Sequence, residues 1–319
     1  MYLLVLKQLA IMALIVVGGF IFAKITKAGQ TEQKFLSKLL LYFVNPCLVI
    51  SSFNLDFDAV KLRQFGFVAF ISLIIHGVMI CVALLCTLRR KHENGAHGDL
   101  VSIDRVATVF TNCGFVGIPL IRGVFGDEGV FYLMGYLVIF NVFLWTYGYY
   151  QMCGTVNLKK IITNPNIIAV ILGIIIFCMP FKLPFFIIKP ISMIGDLNTA
   201  TSMILIGILF ADFKLPKDST GKAWAMQLTW VTVCRLVICV AVNILVLFAA
   251  SKIFANMADI RMMLFVILIC SACPSATSVP SLSVLFNKNV SYASLVVSIS
   301  SLFCIFTVPT FVAIAEMIM

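Results

Sequence analysis

In the stretch TNCGFVGIPL at residues 111–120, Gly114, Gly117 and Pro119 stand close together in apolar surroundings. Glycine loosens a helix and proline removes a backbone donor, so a helix is expected to break here. A second such place is CPSATSVPS at 273–281, where Pro274 and Pro280 flank Ser275, Thr277 and Ser278. Broken backbone inside a bilayer leaves N–H and C=O groups that must face protein, water or a ligand. Proline suits the first turn of a helix. Pro119 and Pro280 are therefore expected to open half-helices, with Ile118 and Val279 at the caps. Neither cap has a side-chain acceptor, so the free N–H groups and positive dipole ends await an anion, and a carboxylate fits best. The plain alternative is two proline kinks satisfied by neighbouring Ser and Thr. Two breaks at matching places favour a binding site.

Ionisable residues inside apolar runs are few, and such residues are functional candidates. Asp196 is a candidate proton carrier, Arg235 a candidate partner for a substrate carboxylate, and His76 a candidate relay. The structural alternatives are an Asp196–Arg235 ion pair and a hydrogen-bonded core histidine. Buried amides form a second set: Asn45 before Pro46, Asn112, Asn141, Asn198 and the triplet Asn164-Pro165-Asn166. Amides bind carboxylates, and they also hold helices together. For the triplet, the local reading is a helix cap with proline in the first turn.

The elements that would position these residues follow from composition. The chain has 319 residues, 62% of them hydrophobic and 11% charged, with a mean hydropathy of +1.10. Soluble domains are nearer half apolar and a quarter charged. An ordinary soluble enzyme, a disordered chain and a disulfide-stapled secreted module are excluded. At about 20 residues per crossing, the expected fold is an all-α polytopic membrane protein with about ten spans. The apolar runs fall near 3–23, 35–53, 64–88, 105–125, 129–152, 163–180, 185–211, 224–250, 261–286 and 290–317. The first lacks a basic start and a small-residue cleavage site, so it reads as a retained span.

The net charge of +10 reports loop orientation, not nucleic acid. Lys24, Lys27, Lys34, Lys38, Arg89, Arg90, Lys91, Arg105, Lys159, Lys160, Lys214, Lys217, Lys222 and Lys288 fall on one side. Fewer bases fall on the other, which places both termini outside. The cysteines number 11, and no metal or other cofactor is expected.

GIPLIRGVFGDEG at 117–129 aligns with SVPSLSVLFNKNV at 278–290, and Asn45 answers Asn198. Five spans followed by five must have opposite topology, and inverted repeats with matching interrupted helices mark secondary transporters. The units expected are 1–155 and 156–319, with broken fourth and ninth helices that cross.

These residues resemble the auxin efflux carrier family, which includes plant PIN proteins and bacterial malate or malonate permeases. The likeness rests on NxxxxGIPL at 112–120, NPN at 164–166, the Arg235-bearing eighth span and CPxxxxVP at 273–280. It implies a scaffold of spans one, two, six and seven, and a mobile domain of spans three to five and eight to ten. It also implies an elevator-like cycle, with Asn112 and Asn166 on the substrate carboxylate. Where plant members carry an acidic residue in the third span, this chain has His76. The short joint from Gln151 to Thr163 points to a microbial inner-membrane form and small organic acids.

The expected binding set is Asn112, Cys113, Gly114, Gly117, Pro119, Asn166, Ser275, Thr277, Ser278, Pro280, Asn45 and Asn141, with Asp196, Arg235 and His76 for coupling or electrostatics. The expected partners are a small organic anion, H⁺ or Na⁺, the lipid bilayer and a second copy in a homodimer. The rival is a sodium/proton antiporter or sodium-coupled symporter, which would place carboxylates at the breaks. No enzymatic motif is present.

Overall fold

The computed structural model describes residues 2–88, 96–155, 163–179, 182–211 and 221–319. No strand occurs among them, and their regular structure is helical. Among the described residues, seven helices are long and apolar enough to cross a membrane: Tyr2–Thr26, Thr31–Ser52, Ala59–Thr87, Cys113–Cys153, Phe185–Ala211, Ala225–Ile253 and Val290–Ile318. Pro165–Cys178 and Ile260–Ala272 are shorter apolar helices. The Cys113–Cys153 stretch is split at Gly126, whose φ of 67° is a left-handed conformation that side chains resist.

In chain order the elements are α1 (Tyr2–Thr26), α2 (Gln30–Leu39), α3 (Asn45–Ser52), α4 (Ala59–Thr87), α5 (Ala96–Val109), α6 (Ile118–Phe143) and α7 (Tyr149–Cys153). Then follow α8 (Pro165–Cys178), α9 (Phe185–Ala211), α10 (Gly221–Val233), α11 (Cys239–Ile253), α12 (Ile260–Ala272), α13 (Ser278–Leu285) and α14 (Val290–Ile318). Single π-turns join α2 to α3, precede α6, and join α6 to α7 and α10 to α11.

Local sequence sets several starts. Asp58 accepts from the Val60 amide at 2.7 Å, Asn164 from the Asn166 amide at 2.9 Å, and Asn289 from the Tyr292 amide at 2.9 Å. Each satisfies a donor that the first turn leaves over. Large apolar side chains such as Leu14, Phe22, Ile25, Phe186 and Phe306 point outward. In lipid that costs nothing, so small and polar residues, not hydrophobic ones, mark the inward faces.

Two sets of helices follow. In one, α1 lies along α9, α9 on α3, and α3 on α8. In the other, α4 packs on α5 and α6, α12 on α6 and α11, and α10 and α13 on α14. α1 meets the second set at α6 and α14. The start of α1 and the end of α14 are adjacent: the Tyr2 amide donates to Glu316 Oε2 at 3.1 Å.

The α1–α9 seam depends on glycine. A Cβ on Gly19 would lie 2.7 Å from the Ile204 carbonyl oxygen, and one on Gly207 would strike the Val16 and Phe20 backbone. Gly207→Val should force these helices apart, at roughly 1–3 kcal/mol for overpacking. It should lower the melting temperature in detergent, whereas Gly18→Val, which meets nothing within 4 Å, should not. Equal melting temperatures would contradict the close seam.

The expected repeat boundary at 155/156 adjoins residues 156–162, which lie outside the described residues. So do Arg89, Arg90, Lys91, Lys159, Lys160, Lys214 and Lys217, on which the charge bias leans, and the side chain of Lys222.

Candidate functional site

The two interrupted stretches meet. α5 ends at Val109 and α12 at Ala272, and the chain beyond each is extended. Thr111 and Ser275 form an isolated antiparallel bridge. The Asn112 amide donates to the Pro274 carbonyl at 2.7 Å, and the Ala276 amide to the Phe110 carbonyl at 2.9 Å. Each broken segment thus satisfies the other's backbone, as burial in a bilayer requires. Ser275 reinforces the pairing. Its hydroxyl donates to the Ala107 carbonyl at 2.9 Å, and its amide donates to Ser300 Oγ at 3.1 Å.

The breaks lie upstream of where the prolines suggest. Helix resumes at Cys113 and at Ser278, with Asn112 and Thr277 at the cap positions. Ile118 and Val279 are inside their helices, so Pro119 and Pro280 do not open them. Pro119 falls just after the π-turn Cys113–Gly117. That wider turn absorbs its missing donor and the crowding of its ring. In α13, Pro280 falls in the first turn, where an amide would have no intrahelical acceptor in any case. Bridge pairing, not proline, sets the end points.

At the resumed helix, the first turn's donation begins at Val116, to the Asn112 carbonyl at 2.9 Å. Neither cap side chain makes a capping bond. Asn112 is 4% exposed, yet its Nδ2 has no partner. The hydroxyls of Thr111 and Ser278 are likewise unsatisfied. Gly114 leaves open space: a Cβ there would meet only Asn45 Nδ2, at 4.0 Å. Gly117 has a packing role instead, against Cys113 and Cys273.

The other amides divide. Asn198 donates to Asn45 Oδ1 at 2.6 Å, joining α9 to α3 beside the crossing. Asn164 caps α8 and reaches Asn141 Oδ1 at 3.4 Å, while Asn141 Nδ2 is held by the Leu137 carbonyl. Asn166 sits on α8, 9% exposed, with Oδ1 unpartnered. No hydrogen bond joins it to Asn112.

Arg235, in the π-turn Cys234–Ile238, is fully buried. NH1 donates to the Thr108 carbonyl at 3.0 Å and contacts Met79 Sδ. Nε and NH2 donate to the Cys273 carbonyl at 3.1 and 3.0 Å, and NH2 also donates to the Ser271 carbonyl. These are the last carbonyls of α5 and α12, and they leave no guanidinium donor idle. The Asp196–Arg235 pair considered from sequence does not form. Asp196 is half-exposed and pairs with Arg122 at 2.5 Å, and Arg122 also holds Asp127 at 3.0 Å. His76 bonds the Ser72 carbonyl through Nδ1 at 2.8 Å and stacks on Phe143, leaving Nε2 without a partner.

Asp104 was missed. It lies just before the fourth apolar run, which begins near 105, but α5 begins at Ala96 and buries this carboxylate completely. It accepts from Tyr292 OH and Gln227 Nε2, both at 2.7 Å. The spacing of Leu100, Asp104 and Ala107 on one helical face was the available signal.

A family model described as membrane transport protein matches residues 4–155 and 152–312. No match is found among curated proteins.

Proposed function

Since the chain belongs to the auxin efflux carrier family of membrane transport proteins, we propose that it is a secondary transporter of small organic anions, carboxylates such as malate or malonate. The observation that carries this is the crossing itself. Two broken helices pair across their breaks and resume at Cys113 and Ser278, and Asn112 offers an unpartnered buried amide at the first restart. Exposed N–H groups and helix N-termini stabilise negative charge. The ten-span inverted arrangement is part of the reading, and the matched interruptions support it. So is a division of labour, in which α1, α3, α8 and α9 form a scaffold and the remainder moves in an elevator-like cycle. The packing of these helices into two sets favours that division. Adjacent chain ends at Tyr2 and Glu316 suit two termini on one face, here read as the outside of a bacterial inner membrane. The test is a thermal-shift screen against malate, malonate, succinate, lactate and indole acids, followed by uptake of each hit into proteoliposomes. Absence of both stabilisation and uptake for every organic anion would refute it.

A coupled cation is the second element. The buried carboxylate Asp104, on the same helix as the crossing and bonded to α10 and α14, suits a coupling proton or Na⁺ better than exposed Asp196. Asp104→Asn should preserve exchange of internal for external anion while removing the response of net uptake to an imposed ion gradient. If gradient-driven uptake persists, Asp104 is not the coupling group. A sodium/proton antiporter would show the converse: ion flux in vesicles without any organic anion.

A further inference from the structure

The second set of helices meets the first most broadly through α6, which packs on α1, α3, α8 and α9. Beyond Gly126, Phe131 packs on Phe53 at the end of α3 and on Phe177 of α8, each at 5.2 Å between ring centroids. Before Gly126, two polar ties hold the segment that follows the crossing. Gln8, near the start of α1, donates to the Pro119 carbonyl at 3.4 Å, and Arg122 donates to Asp196 of α9 at 2.5 Å. These ties lie toward the face of the chain ends, where the start of α1 meets Glu316. The matching segment of the other half is held differently. α13 packs on α5, α7 and α14, and among the described residues no hydrogen bond or ion pair joins it to the first set. When the two halves are aligned, Ser283 stands where Arg122 stands and Phe43 where Asp196 stands. The Ser283 hydroxyl donates to the Val279 carbonyl, and Phe43 points outward. The ion pair is a one-sided feature of a two-sided fold.

We propose that the Arg122–Asp196 pair is a latch holding the crossing shut toward the face of the chain ends, and that Asp127 is its release. This rests on the reading of the two sets as scaffold and moving part. Arg122 and Asp196 belong to different sets, so a shift of one set along the other must part them. A partly buried guanidinium parted from its only carboxylate would resist that shift. Asp127 removes the obstacle. It accepts from Arg122 Nε at 3.0 Å and lies on the same segment, just past the bend at Gly126, so it travels with Arg122. Glu128, the next carboxylate, is held by Lys61 at 2.9 Å and does not compete. Asp196 is half-exposed, so water covers it once Arg122 leaves. Two carboxylates share one cation, and only the one on the scaffold has to let go.

The test is hydrogen–deuterium exchange of the whole chain in lipid nanodiscs, followed on peptides covering residues 118–125, with no substrate added. Asp196→Asn keeps the shape of the side chain and removes the latch charge. Exchange should quicken about two- to fivefold, the range expected of a partly exposed ion pair. Asp127→Asn removes the release and leaves Arg122 to Asp196 alone, so exchange should slow by a similar factor. Added salt should quicken the wild-type protein, because it screens the pair, and should change Asp196→Asn little. A merely structural role would let both substitutions loosen the segment. Shifts in the same direction, no shift in either variant, or salt acting equally on wild type and Asp196→Asn overturns the latch, whatever the protein carries. Opposite shifts, together with uptake of no organic anion, would uphold the latch and overturn the organic-anion reading instead.

Discussion

Asn112→Ala is expected to reduce carboxylate uptake in proteoliposomes to background while leaving the protein folded. The two halves of this expectation have separate causes. The bridge uses the backbone of Asn112, whose amide donates to the Pro274 carbonyl at 2.7 Å, and alanine retains that amide. The side chain makes no capping bond, and its Nδ2 is buried without a partner. Removing a buried polar group that is already unsatisfied does not carry the cost of about 1–3 kcal/mol that comes from orphaning a partner. The melting temperature should hold or rise. Uptake should fall because a carboxylate at the start of the helix loses a donor in a water-poor place, where such bonds count most. Uptake at the wild-type level would remove the crossing from the anion's path.

A disulfide between α1 and the restarted helix should stop transport reversibly. Gln8 of α1 donates to the Pro119 carbonyl at 3.4 Å, and a Cβ built on Gly123 would run into the Gln8 side chain. The pair Gln8→Cys and Gly123→Cys is therefore close enough for a bridge of ordinary Cβ separation, about 3.5–4.5 Å. If α1 belongs to a fixed set and the crossing to a moving one, oxidation should abolish uptake, and dithiothreitol should restore it. Each single variant should transport under both conditions. The native cysteines at the crossing, Cys113, Cys270 and Cys273, are buried and free, so they do not compete for the bridge. Undiminished uptake with the bridge formed would show that α1 and the half-helix travel together, against an elevator-like cycle.

Much of this was legible in the chain. Apolar runs longer than a bilayer is thick leave little choice but helix, because a bilayer interior offers backbone groups no other partner. Pro and Gly at 114–119 and 274–280 announced two interruptions, and the cap at Asn164 needed only its local triplet. The exact restart points were not legible. Cys113 and Ser278 begin their helices because Phe110–Asn112 and Pro274–Ala276 pair with each other, and nothing within either segment encodes a partner far away in sequence. Asp104 is not legible for a related reason: it lies just before the start of the fourth apolar run, and whether a carboxylate at that point is buried depends on Tyr292 and Gln227 from other helices.

The roles of the ionisable residues show the same division. Sequence alone established a membrane-embedded helical transport protein with two matched, proline-marked breaks, because hydrophobic length and backbone chemistry are local properties. Only the tertiary structure decided that Asp196 belongs to Arg122 at a half-exposed site and that Arg235 binds the ends of both broken helices. Charges in a low-dielectric interior are governed by the groups within a few ångströms, and those neighbours come from segments that only folding brings together.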